Sequence, residues 1–180
     1  MRPLKSLLLL PLLLVLSACG SLGSTQAGSQ SGELTANEVM FAQMMIPHHQ
    51  QAIEMSELVA DRTDNPELNA LAMEIIAAQD PEIALMQTWI DEFGDAGMNH
   101  AGHSMGGMLT ESELDALRAA TGVEFEKLYL SGMIKHHEGA LDMAEMLENS
   151  SYSPAQTLRG EIVKTQTAEI ERMKKLLENY

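Results

Sequence analysis

The sequence is short of several residue types. It has a single cysteine, Cys19, in 180 residues, so no disulfide closes within the chain and no thiolate cluster can bind a metal. Any metal must be held by histidine, methionine, carboxylate or backbone groups. Aromatic residues make up only 4%. The apolar content is instead Leu, Ala, Ile and Met, which suits helix packing better than a sheet core. Basic residues are scarce, with 11 Lys and Arg against 26 Asp and Glu. So acidic a surface argues against nucleic acid and against an anionic membrane face as partners. Most of this charge serves as a solvated face that resists aggregation.

A long apolar run is also missing. Leu7 to Leu16 is too short for an ordinary transmembrane helix. Arg2 and Lys5 precede it, and Leu16-Ser17-Ala18-Cys19 follows it. This pattern resembles a bacterial lipoprotein signal, which implies that residues 1–18 are a signal peptide cleaved before Cys19. The same resemblance implies a lipidated Cys19 that anchors the protein to a membrane without spanning it. Cleavage would leave nine basic residues facing 26 acidic ones, a net charge of −17. Residues 19–33 are rich in Gly, Ser and Gln and read as a flexible tether, reaching roughly 20 Å.

What is present is a duplication. Met45-Ile-Pro-His48-His49-Gln-Gln-Ala-Ile-Glu-Met55 returns 88 residues later as Met133-Ile-Lys-His136-His137-Glu-Gly-Ala-Leu-Asp-Met143. Downstream, Gln79-Asp-Pro-Glu82-Ile83-Ala-Leu-Met86 returns 87 residues later as Gln166-Thr-Ala-Glu169-Ile170-Glu-Arg-Met173. One supersecondary unit therefore occurs twice.

Each unit reads as a helical hairpin. Thr35 to Glu38 has the form of a capping box, and helical spacing runs from Val39 to about Ala60. Pro47 predicts a kink or local opening just before the first histidines. Asn65-Pro66 reads as a cap and first turn, followed by a helix to about Phe93. A second capping box, Thr110 to Glu113, starts a short helix to Ala120 that Gly122 breaks. Long helices are expected again over 123–149 and 153–179. The expected fold is all-α, an antiparallel four-helix bundle over residues 34–180 built from two repeated hairpins, with a loop at 94–109.

All six histidines fall in three clusters, His48-His49, His100 with His103, and His136-His137. On a helix His48 shares a stripe with Met44 and Met55, and Met45 lies one turn before His49. His136 likewise shares a stripe with Met143, and Met133 lies one turn before His137. Each copy can present imidazole nitrogen beside thioether sulfur. Thioether favours Cu(I), and imidazole accepts Cu(II) as well. A single His-His pair is more often a satisfied core or surface feature, and methionine at helical spacing is more often core filler. Met73, Met86 and Met173 are assigned to the core on that ground. The central loop adds Met98, His100, His103, Met105 and Met108 within eleven residues on a Gly-rich backbone, where packing does not account for methionine. No Glu-x-x-His pattern for a di-iron site is found. Carboxylates are too plentiful to single any out.

The doubled His-His motif and the two Gln-x-x-Glu-Ile-x-x-Met runs resemble the DUF305 family over roughly residues 36–179. The resemblance implies a ferritin-like helical bundle, usually exported, with some members binding copper in the bacterial envelope. The leading reading is an extracytoplasmic, lipid-anchored protein that binds copper for storage, buffering or resistance. Its expected partners are the metal ion and, through Cys19, a membrane. A copper-dependent redox enzyme and a metal-free structural or partner-binding bundle are the alternatives.

Overall fold

The computed structural model describes residues 32–93 and 105–180. The leader, Cys19 and the tether through residue 31 lie outside the described residues, as do Met98, His100 and His103. The chain forms α1 (Ala36–Glu57), α2 (Val59–Arg62), α3 (Pro66–Phe93), α4 (Glu111–Ala119), α5 (Gly122–Ala144) and α6 (Ser153–Leu177). A 3₁₀ turn, Glu145–Leu147, follows α5.

The helix starts are set by local chemistry. Thr35 and Glu38 close a capping box on α1, and Thr110 and Glu113 close one on α4, satisfying amides that the first turn leaves without partners. The Asn65 side-chain oxygen accepts from the amides of Glu67 at 3.0 Å and Leu68 at 3.4 Å, capping α3. Pro154 lies in the first turn of α6. Pro47 does not interrupt α1, and Pro81 does not interrupt α3. Proline costs one backbone hydrogen bond here, but the buried side chains on both sides of Pro47 hold the helix together.

The helices pair as the repeat predicts. α1 packs on α3, α5 packs on α6, and α1 meets α5 between the two hairpins. The all-helical fold is as expected, and its two hairpins are compatible with a four-helix bundle. The core falls into two apolar clusters at opposite ends. One gathers Met55, Leu71, Ile75, Phe125, Tyr129, Met133 and Met173. The other gathers Phe41, Met45, Met86, Trp89, Met143 and Leu158. The N-terminal part of α1 shares a cluster with the C-terminal parts of α3 and α5, so α1 runs antiparallel to both. Met86 and Met173 are fully buried, as expected. Met73 is a correction: it is 66% exposed, so it is not core. It lies on the solvent side of α3, whose core contacts come from Leu71, Ala72 and Ile75.

Between the clusters every long helix contributes buried polar residues. α1 supplies His48 and His49, α3 supplies Gln79, α5 supplies His136 and His137, and α6 supplies Gln166 and Glu169. A polar layer across the middle of an apolar core is costly unless its groups are paired or serve a ligand.

Candidate metal centre

The four histidines of α1 and α5 are each no more than 1% exposed. The pseudo-symmetry of the repeat places them face to face. The rings of His48 and His136, equivalent residues, lie 3.8 Å apart between centroids and are tilted by 38°. The rings of His136 and His137 lie 6.3 Å apart.

Hydrogen bonds settle which ring nitrogen is engaged. His49 Nε2 donates to the Glu82 carboxylate at 2.7 Å, and His137 Nε2 donates to the Glu169 carboxylate at 2.8 Å. The two carboxylates are equivalent residues of the repeat, each the final residue of a Gln-x-x-Glu run. His48 Nε2 donates to the Gly106 carbonyl at 3.0 Å. A carbonyl or carboxylate oxygen can only accept here, so Nε2 carries the proton in all three. The Nδ1 atoms of all four imidazoles are buried without a partner, and so is His136 Nε2. The side-chain oxygens of Gln79 and Gln166, also equivalent residues, are buried and unpaired as well. Orphaned polar atoms at matched positions in both copies point to a guest rather than to a local packing fault.

Burial sets the charge of the layer. It pushes His48 down to about 4, against a bond to Gly106 that favours protonation and with His49 and His137 adding to the depression. It pushes His136 well below the ordinary histidine value, reinforced by His48, His137 and His49. Both rings are therefore neutral at neutral pH, and His48 Nδ1 presents a lone pair.

The methionines flank this layer on both sides. Met45, Met55 and Met133 are fully buried, and Met44 and Met143 are 6% and 5% exposed. Met44, Met45 and Met143 belong to one apolar cluster, and Met55 and Met133 to the other. They serve as core and at the same time bracket the histidines within one or two helical turns. Among the described residues, no three His, Cys, Asp or Glu side chains are grouped as a metal site. The side chains gathered at and beside this layer are neutral imidazole and thioether, ligand types that suit copper.

The segment entering α4 reaches the same layer. Met105 packs partly buried against the second cluster, next to the Gly106 carbonyl that binds His48. Met108 is partly buried. Gln51 grips Leu109 twice, donating to its carbonyl at 3.0 Å and accepting from its amide at 2.7 Å. Gly107, at φ +82°, and Gly139 allow the segment to lie directly on α5. A methyl group built on Gly139 would come within 2.0 Å of the Gly106 oxygen, and one on Gly107 within 2.4 Å of the Lys135 oxygen.

Sequence reasoning missed Glu82, Glu169 and Gln51. The Gln-x-x-Glu repeat was visible and could have marked the two carboxylates, because each copy keeps the acid on the face that carries buried core residues. Gln51 left no such signal, since its equivalent in the second copy is Gly139.

Among the described residues, no helix is long and apolar enough to cross a membrane. The profile of DUF305, a domain of unknown function, matches residues 38–177. A DUF305 protein from Streptomyces coelicolor, described as secreted, superposes with a TM-score of 0.74 at 33% identity, covering 79% of this chain and 93% of that one. CopM in its Cu(II)-bound form superposes with a TM-score of 0.67 at 36% identity, covering 79% of this chain and 96% of that one. CopM has also been solved with Cu(I) and with silver bound. The uncharacterized protein L153 of Acanthamoeba polyphaga mimivirus is 46% identical over 48 residues, and that match spans 27% of this chain and 32% of L153. With the profile matching most of its length, the chain belongs to the DUF305 family.

Proposed function

We propose that the chain is an extracytoplasmic copper-binding protein, anchored by a lipid on Cys19, that takes up copper as cargo for storage, buffering or resistance. The observation that carries this reading is the set of four buried imidazoles with unpartnered Nδ1 atoms, bracketed by methionines from both clusters. The copper-bound and silver-bound forms of CopM support it. The proposed ligands are drawn from His48, His49, His136 and His137, with sulfur from Met44, Met45, Met55, Met133 and Met143. Sulfur and neutral imidazole together favour Cu(I), while imidazole alone accepts Cu(II).

The chain's own residues do the preparatory work. Glu82 and Glu169 hold His49 and His137 by Nε2, which fixes ring orientation and leaves Nδ1 for the metal. The Gly106 carbonyl does the same for His48. Methionine does not form disulfides, so the ligand set suits an oxidising compartment. In the central loop, Met98, His100, His103, Met105 and Met108 form a second, weaker reservoir. The helical ligands are held on regular backbone, so the helical sites fill first.

Competitive Cu(I) titration against a colorimetric chelator tests this. Replacing His48, His49, His136 and His137 with Ala removes the tightest binding. Replacing the five loop ligands removes only weaker equivalents. Loss of the tightest site in the loop variant alone would overturn the assignment to the repeated motif. Turnover of a substrate by the copper-loaded protein would favour the redox-enzyme alternative.

A further inference from the structure

The polar layer has two sides that differ in access. On one side the Gly106–Gly107 turn lies on Gly139 so closely that no methyl group fits between them, and Gln51 locks the segment down. On the other side α3 and α6 do not pack closely on each other. Two adjoining chambers of about 390 and 430 Å³ lie between them, sharing Ala78 and Thr165 in their walls. Glu169 lines one chamber and Glu82 lines the other. These are the carboxylates that hold His137 and His49, and their side chains remain 11% and 13% exposed. Each carboxylate thus has one oxygen on a buried histidine and its body on the groove.

The charge of the groove matches a cation. Arg172 is paired with Glu74 at 2.6 Å at one end. Glu82, Glu161 and Glu169 then face only Lys164 among the remaining charged groups of the walls. A cleft with acidic walls concentrates cations and speeds their arrival. The wall residues common to both chambers, Ala78 and Thr165, are small, and so is Ala168 beside Glu169 in one of them.

We infer that the groove between α3 and α6 is the portal through which Cu(I) reaches the histidine layer, with Glu82 and Glu169 guiding the ion at its inner end. The inference rests on the copper reading above and adds the route to it. A portal controls rate, whereas the ligands control affinity, and this separates the two experimentally.

The test measures loading rate and affinity side by side on the full chain. Cu(I) supplied as its acetonitrile complex is mixed in stopped flow, and quenching of Trp89, the chain's single tryptophan, reports arrival. Equilibrium competition with a colorimetric chelator reports affinity. Ala168→Phe places a ring in the groove from an exposed position of α6, so folding is not at risk. It slows loading at least about tenfold and leaves affinity within about twofold. Glu161→Lys, also at an exposed position, slows loading about tenfold with affinity kept, and added salt shrinks the difference from wild type. Ala116→Phe, in a separate groove between α4 and α5, loads at the wild-type rate. A wild-type rate in Ala168→Phe overturns the portal, and so does slowing that Ala116→Phe shares. Slowing matched by an equal loss of affinity overturns it too, because the damage is then to the site. If the wild-type chain takes up no Cu(I) at all, the copper reading itself falls, which is a different result from an unaltered rate.

Discussion

In the first repeat His48 donates to the Gly106 carbonyl, while in the second the equivalent His136 meets no partner at either nitrogen. The outer pair shows no such difference, for His49 and His137 each donate to the matching carboxylate at 2.7 and 2.8 Å. The asymmetry comes from the segment that joins the hairpins. It crosses the pseudo-symmetric layer at two equivalent positions and is treated oppositely at each. Gln51 grips it with two hydrogen bonds, and Gly139, 88 residues later, yields space to it. Duplication accounts for the four imidazoles and their carboxylates, and a single linker cannot satisfy two equivalent sites in the same way. The layer is therefore symmetric toward α3 and α6 and asymmetric toward the linker.

The largest effect is expected at Gly139. A methyl group there meets the Gly106 carbonyl oxygen at 2.0 Å and Gly107 Cα at 2.8 Å, both backbone atoms that cannot rotate away. Gly139→Ala forces the linker off α5 and destabilises the fold by about 2–3 kcal/mol. At the equivalent position Gln51→Ala removes two buried hydrogen bonds and costs about 1–3 kcal/mol. Urea unfolding of both variants measures the difference. If Gly139→Ala proved the milder, the linker would not be seated as described.

The carboxylates are expected to behave alike, in contrast to the linker contacts. Glu82→Gln and Glu169→Gln keep a hydrogen-bond acceptor but lose the charge that orients each ring. Each lowers Cu(I) affinity by about 10–100-fold, and the two losses are similar in size. Chelator competition measures this, and nitrogen NMR of the imidazoles checks that the Nε2 proton is no longer fixed. A large loss in one copy with none in the other would break the symmetry argued for the outer pair.

Legibility followed the same division. The helices, both capping boxes and the histidine-methionine pattern could be read because each is local, set by residues within one or two turns. The repeated Gln-x-x-Glu run set Glu82 and Glu169 apart from the other acidic residues but not their role, which comes from contact with histidines 33 and 32 positions away. The Gln51–Leu109 clamp spans 58 residues and has no counterpart in the other repeat. Met73 was misplaced for a related reason: helical spacing gives a face, but only packing says whether that face is covered. At Pro47 the helix continues without interruption, because buried side chains on either side of it belong to the core.

pH should act on the inner pair in both copies. His48 and His136 are neutral in the folded protein and titrate below the ordinary histidine value of about 6.5. The unfolded chain takes up protons there that the folded chain refuses. Stability is therefore fully present above about pH 6.5 and drains as pH falls, toward about 4 for His48. Urea unfolding between pH 4.5 and 7.5 shows the slope, and replacing either histidine with Gln makes it shallower. A slope unchanged in both variants would mean that other groups carry the acid sensitivity.

The smallest effect belongs to the position where the two motifs differ most on paper. Proline stands before the first histidine pair and Lys135 before the second. Lys135 lies on the outer side of α5, half exposed, and its ammonium pairs with Glu113 of α4 at 3.2 Å. An exposed pair of this kind contributes about 0–1 kcal/mol, because water screens it and two side chains must be held in place. Glu113 also has its capping bond to Thr110, which does not depend on Lys135. Lys135→Ala is thus expected to change unfolding free energy by less than about 1 kcal/mol and to leave Cu(I) affinity unaltered. Chelator competition and urea unfolding on the same preparation give both numbers. A clear loss of copper binding in Lys135→Ala would show that the residue before the histidines shapes the site after all, and that the two copies differ at the ligands as well as at the linker.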